Sequence, residues 1–223
     1  MSAAASLLVV AKAPIPGQAK SRVAATVGDE TAAQLAAAAL LDTLEVAEGL
    51  GWPVVVAITG DLHDGARAEE LITACAGHRV ISQRGEDFAA RLIAAHHDAD
   101  QGRGVVQIGM DTPQVTTAHL RATAESLEAH DAVIGPAEDG GWWALGVREP
   151  GWTRCLTSVP MSHPETGART SEALARRGAS VGSAPALRDV DTWEDAVAVA
   201  ELIPRSRFAA EVLRIVEHER WAG

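Results

Sequence analysis

Short apolar runs alternate with longer stretches of helical period along nearly the whole chain. Continuous apolar segments at 7–11, 54–58 and 104–109 predict buried strands, with short strands at 79–82 and 132–135, another strand at 143–147 and a last extended piece at 181–187. Between them, apolar residues recur at helical spacing over 29–48, 61–76, 88–99, 116–130 and 169–177. Asp29 is placed to cap the first of these helices, and Leu35, Leu40, Leu41 and Leu44 fall on its inward side. Thr116 or Thr117 caps the fourth, and Gly178 closes the fifth. Helices at 193–202 and 205–221, separated by Pro204, finish the chain. His96 and His97 are expected on a helix surface.

Strand–helix alternation without a linker or an internal repeat predicts one domain spanning 1–223. It is a three-layer α/β/α sandwich on a mostly parallel, mixed sheet, with a core at about 6–203 and a closing helix at about 205–221. In such a sheet the functional loops lie at the carboxyl ends of the strands.

Composition narrows the class. With 223 residues, 47% hydrophobic and 22% charged, the chain is long and apolar enough for a substantial core, which excludes a disordered or fibrous protein. A formal net charge of −11 argues against a general nucleic-acid or anionic-membrane surface. Cys75 and Cys155 lie far apart with no metal-type spacing, and no apolar run reaches the length of a bilayer. A cytoplasmic protein with reduced thiols and no membrane span is expected.

Against that acidic background, the stretch after the first strand stands out. Lys12-Ala-Pro-Ile-Pro-Gly-Gln-Ala-Lys20-Ser-Arg22 places three cations in a Pro/Gly loop at a strand's carboxyl end, where an anion site is expected. Pro14 and Pro16 stiffen the loop, and Gly17 permits close backbone approach. It is not a Walker A loop, because Ala19 precedes Lys20 and Pro14 stands five residues before Ala19, where that motif needs glycines. A single glycine also excludes a dinucleotide fingerprint.

Carboxylates supply the second half of the chemistry. Asp111 follows the apolar run 105–108 directly, and Thr112-Pro113 turns the chain away. Asp189 and Asp191 alternate on an extended segment and so share a face, where a hard divalent cation relieves their repulsion. The competing role for Asp191 or Thr192 is to cap the helix at 193. Asp139-Gly140-Gly141-Trp142 forms a glycine loop in which Trp142 or Trp143 could stack on a sugar or base, and His163 and Glu165 lie in a polar loop that could contact an acceptor.

AKAPIPGQAKSR, GMDTP, GPAEDGGWWALG and RDVDTWEDA, in this order and at these spacings, resemble a small bacterial family of glycosyltransferases of the GT-A, or nucleotide-diphospho-sugar transferase, fold. Some of its members are labelled arsenosugar-biosynthesis glycosyltransferases. The family is related to 2-phospholactate (phosphoenolpyruvate) guanylyltransferase and to molybdenum cofactor guanylyltransferase. The resemblance covers about residues 6–203. It implies a nucleotide-binding set of Ala11, Lys12, Pro14, Gly17, Lys20, Arg22, Gln83 and Asp111. It also implies a Mg²⁺ or Mn²⁺ site at Asp111, Asp189 and Asp191, an acceptor side at Asp139, Gly140, Gly141, Trp142, Ser162 and His163, and catalytic roles for Asp111, Lys20 and Asp191. The family usually carries DGGYY and a Trp-Ser-Thr-like loop, whereas this chain has DGGWW and Met161-Ser162-His163.

The expected function is that of a metal-dependent transferase using a nucleotide-sugar or a nucleoside triphosphate and a small-molecule acceptor. Glycosyl transfer is favoured by the resemblance, and guanylyl-type nucleotidyl transfer is the alternative. Both need the same neutralisation of a pyrophosphate by cations and metal. A non-catalytic nucleotide-binding protein is the reading from a different class.

Overall fold

The computed structural model describes residues 5–222, with side chains to residue 217; the ends of the expected span, 1–4 and 223, lie outside the described residues. The strands are β1 (Ser6–Lys12), β2 (Val54–Thr59), β3 (Arg79–Ser82), β4 (Val105–Ile108), β5 (Ala132–Pro136), β6 (Trp142–Val147) and β7 (Val181–Ser183). They form one sheet in the order β3-β2-β1-β4-β6-β5-β7. All pairings are parallel except those of β6, which runs against both β4 and β5. The mostly parallel, mixed α/β sheet is thus as the alternation predicts. The reversal of β6 brings the loop between β5 and β6 to the edge where β1 and β4 end.

The helices are α1 (Ser21–Val27), α2 (Asp29–Leu50), α3 (Ala68–Cys75), α4 (Phe88–Ala99), α5 (Thr117–Ala129), α6 (Thr166–Arg176), α7 (Trp193–Leu202) and α8 (Arg207–Ala222). β1 is buried from Ser6 to Ala11 because its two faces feed different cores. Leu7, Val9 and Ala11 pack toward α2 and α5, while Leu8 and Val10 pack toward α4 and α6. Burying each such leucine stabilises the fold by roughly 1.5–3 kcal/mol relative to leaving it exposed.

α2 departs from the single inward stripe expected. Leu40, Leu41 and Leu44 face the sheet, but Leu35, Ala38 and Ala39 join a third core with Val199 of α7 and Phe208 and Val212 of α8. The small side chains that make this helix alanine-rich let α7 and α8 cover its outer face. Asp42 is nearly buried within α2, where it accepts hydrogen bonds from the backbone N–H of Phe208 (2.8 Å) and Arg207 (3.1 Å), satisfying the start of α8. Asp29 does not cap α2: Gly28 is the capping residue and Asp29 is the first helical one. Thr116 does cap α5, in a reciprocal box with His119. The expected helix at 61–76 is broken near Gly65, giving a short 3-10 turn at Leu62–Asp64 before α3. α1 and the 3-10 helix Pro150–Ser158 arise in stretches with no apolar period to announce them.

His96 is not on a surface. It is fully buried on α4 with its Nε2 2.8 Å from Gln107 Oε1 on β4, and its Nδ1 finds no hydrogen-bond partner among the described residues. His97, its neighbour, is exposed. Burial pushes the His96 pKa down to about 4. The unfolded chain takes up this proton near pH 6.5 and the folded one only near 4, so His96 makes stability fall as pH drops through that window. Its share between pH 7 and pH 5 is about 2 kcal/mol. Urea unfolding at the two pH values should show that fall in the native protein and a shallower one in His96→Leu.

Candidate functional site

The loop after β1 is held by its own backbone. Ala13 N–H donates to Thr59 O (2.8 Å), and Gln18 and Ala19 N–H donate to Ile15 O. Pro14 is buried against Gly65, where an added Cβ would lie 3.1 Å from the proline ring, and Pro14 O accepts from Ala66 N–H at 2.9 Å. Gly17 is exposed with φ +73°, a turn conformation that suits glycine. Lys20 takes the left-handed conformation (φ 51°, ψ 50°), turning the chain into α1 and its own side chain inward. Lys12 and Arg22 are exposed, and the backbone N–H of Lys12 faces Met110 Sδ at 3.4 Å.

Gln83 sits where β3 ends, and its amide Nε2 donates to Ala11 O (2.9 Å) and Ala57 O (3.0 Å). It locks the ends of β1 and β2 together. The Ala11 carbonyl is therefore engaged within the fold, and only the Gln83 oxygen is left for a ligand.

The later carboxylates arrive on a strap that runs along the carboxyl edge of the sheet after β7. Ala184 N–H bonds Ile134 O of β5, and Leu187 bridges the end of β5 through Pro136 O and Glu138 N–H. Trp143 of β6 donates its indole N–H to Pro185 O at 2.8 Å. Gln114, just after β4, donates to Arg188 O at 2.6 Å. Val190 N–H then bonds Asp111 O at 2.9 Å, and the Lys20 ammonium reaches Val190 O. Thr192 and Asp195 form the capping box of α7, so neither Asp189 nor Asp191 is spent on that helix.

The loop after β1 thus meets the turn after β4 and the strap. Lys20 Nζ lies 2.5 Å from Asp111 Oδ1, with the lysine side chain 11% exposed and the aspartate 47%. Arg22 pairs with Asp191 at 3.1 Å in a more exposed contact. Burial, and then the charges of Asp111 and Asp139, push the Asp189 carboxyl up to about 7 against the opposing pull of Lys20. The expected sharing of one cation by Asp111, Asp189 and Asp191 is not seen in the arrangement of these side chains. Among the described residues no three Asp, Glu, His or Cys side chains stand close enough to hold a metal as they are, because Asp111 and Asp191 turn to Lys20 and Arg22. The donor set is all oxygen and mutually repelling, and it suits a hard divalent cation. Asp139 belongs to the same field, a role that spacing alone did not reveal.

In the loop expected on the acceptor side, Asp139 Oδ1 accepts from Gly141 N–H at 2.8 Å. Gly140 and Gly167 are needed for packing. A Cβ on Gly140 would lie 1.8 Å from Pro164 O, and one on Gly167 would lie 2.5 Å from Gly141 O, so the loop is pressed against the start of α6. Trp142 is half-buried in the core beside α4 and α6, with its indole nitrogen buried and unpartnered among the described residues, whereas Trp143 is fully structural. Ser162 (φ 58°) and His163 are exposed. A cleft of about 390 Å³ lies between α6 and the β5–β7 edge, lined by Pro136, Gly140, Gly141, Pro164, Ser171 and Ser183 among others. It carries no charged side chain.

A family model described as "Uncharacterized protein conserved in bacteria (DUF2064)" matches residues 40–163. A 3-phospho-D-glycerate guanylyltransferase from Phenylobacterium zucineum (strain HLK1) is 32% identical over 216 residues, which is 91% of this chain and 93% of that protein. Among solved structures, a Desulfovibrio desulfuricans G20 protein provisionally described as a nucleotide-diphospho-sugar transferase superposes with a TM-score of 0.85 and 25% identity, covering 96% of this chain and 95% of its own. The manganese complex of Rv0371C from Mycobacterium tuberculosis H37Rv shares the fold, with a TM-score of 0.53, 22% identity and coverage of 88% and 98%.

Proposed function

Since the chain belongs to the bacterial DUF2064 family and is a transferase of the nucleotide-diphospho-sugar transferase fold, we propose that it transfers a nucleotidyl group, guanylyl in the first instance, from a nucleoside triphosphate to a small phosphorylated acceptor. The observation that carries this reading is the meeting of Lys20 with Asp111 and the strap: a buried cation and a cluster of carboxylates at one edge of the sheet. The named activity of the Phenylobacterium relative supports nucleotidyl over glycosyl transfer. We place the protein in the cytoplasm, in keeping with two free, buried cysteines; among the described residues no helix is long and apolar enough to cross a membrane.

In this mechanism an oxygen of the acceptor's phosphate attacks the α-phosphorus, the bond to the β-phosphate breaks, and pyrophosphate leaves. Lys12, Lys20 and Arg22 neutralise the triphosphate, and the Gln83 oxygen accepts from the base. Asp111, Asp189 and Asp191 would hold Mg²⁺ or Mn²⁺, with Asp139 adding negative charge. Such an ion supplies Lewis-acid stabilisation of the charge that develops on the phosphate oxygens. The loop at 139–141, with Ser162 and His163, faces the acceptor.

Pyrophosphate release, with mass detection of the product, checks the reading in assays offering each nucleoside triphosphate with 3-phospho-D-glycerate and Mg²⁺ or Mn²⁺. GTP is expected to react. A second reading, glycosyl transfer, is supported by the description of the Desulfovibrio structure. Product formed from a nucleotide-sugar, with no pyrophosphate released, would replace the first reading by the second.

A further inference from the structure

We propose that Gln114 is a positioning residue that sets Asp189 against Asp111, an inference that rests on the metal-dependent transferase reading above. Gln114 lies three residues after Asp111, in the turn that follows β4, and is 7% exposed. Its Nε2 donates to Arg188 O at 2.6 Å, while its Oε1 is buried with no partner among the described residues. An acceptor left unpaired in the interior carries a desolvation cost, which a leucine or methionine of similar volume would avoid. Fold stability therefore does not explain the amide; its donor does.

The carbonyl that accepts this bond belongs to the planar peptide unit joining Arg188 to Asp189, so holding it fixes the rotation of that unit. The next peptide unit is fixed as well, because Val190 N–H bonds Asp111 O at 2.9 Å. Asp189 is thus suspended between two pinned peptide planes. Both pins come from one short turn, residues 111–114, closed by Val115 N–H to Thr112 O at 3.0 Å. The first residue of that turn is the other carboxylate, so the register of Asp189 against Asp111 is set within it. The Arg188 side chain plays no part, since it pairs outward with Glu138.

The test compares the native protein with Gln114→Leu and Gln114→Met. Mn²⁺ binding is read from the electron paramagnetic resonance signal of the free ion, with and without GTP, alongside melting without metal and the separate kcat and KM for GTP. The inference expects Mn²⁺ affinity 10–100-fold weaker, the range seen when outer partners of metal ligands are removed. It also expects a lower kcat with little change in KM, and melting that is unchanged or slightly higher. Affinity within twofold of the native value would overturn it. So would failure of both variants to fold, because the amide would then serve the fold itself. Native protein that binds no Mn²⁺ would sink the metal-dependent reading and this inference with it, whereas native binding matched by the variants would sink this inference alone.

Discussion

Asp111→Asn is expected to lower metal-dependent turnover by about a thousandfold or more, the several kcal/mol that a metal's charge stabilisation supplies. The substitution keeps the size of the side chain and leaves the backbone bond from Val190 N–H to Asp111 O in place. What it removes is the negative charge of one proposed ligand, and with it the charged partner of Lys20. Apo stability should change little, because the lost ion pair is offset by relief of Asp189, whose carboxyl is held up partly by the charge of Asp111. Asp191→Asn should likewise leave apo stability nearly unchanged, since Asp191 faces Arg22 in a solvent-exposed pair of the kind worth about 0–1 kcal/mol. Steady-state rates at saturating Mg²⁺, with thermal melting by circular dichroism, decide the matter. More than a tenth of native activity in Asp111→Asn would remove this carboxylate from the mechanism.

Lys20→Ala is expected to act twice. Nucleotide affinity should fall about 10–100-fold, the scale of a lost charge-assisted hydrogen bond. The ligand-free protein should also lose about 2 kcal/mol of stability, which for a chain of this size lowers the melting temperature by roughly 4–8 °C. A lysine in a phosphate loop is expected to be exposed and stability-neutral, but here it is largely buried and joins three segments of the chain. Its removal leaves Asp111 beside Asp189 and Asp139 without an opposing cation. Mg²⁺ alone should therefore raise the melting temperature of the variant more than that of the native protein. Equal metal-induced shifts would show that the ammonium does not balance this cluster.

The sequence is a good guide to the strands and to several helix limits. The β1 run, the six-residue β2 and the strands around β4 are legible because continuous apolar runs bounded by polar turns have few other solutions. α4 and α7 match their expected limits because Asp87 and Thr192 mark their starts with side-chain caps. The candidate loop cations and carboxylates are legible from strand ends, where open α/β sheets bind ligands. That Gly140 and Gly167 also serve as packing positions is not legible, because it depends on Pro164 and Gly141 pressing against them. His96 and Gln114 are hidden for a related reason. A polar residue looks alike in sequence whether water or one buried partner satisfies it. α2 misleads because an alanine-rich helix reads as one-sided until the helices that cover its other face are in place.

The strap has one consequence for how the molecule comes together. Lys20 and Val190 are separated by 170 positions, and the contact between them closes only after the chain has travelled from the far edge of the sheet back to its middle. Contacts of such long range carry the largest loop-closure entropy and tend to form late. A chain folded only through β6 would own a sheet and a basic loop, yet would lack the Asp189–Asp191 half of the site. Binding competence would therefore be acquired in the last stage of folding. A ligand that grips both halves would then act as a clasp on two distant stretches of the polypeptide, resisting opening of the whole domain rather than of one corner.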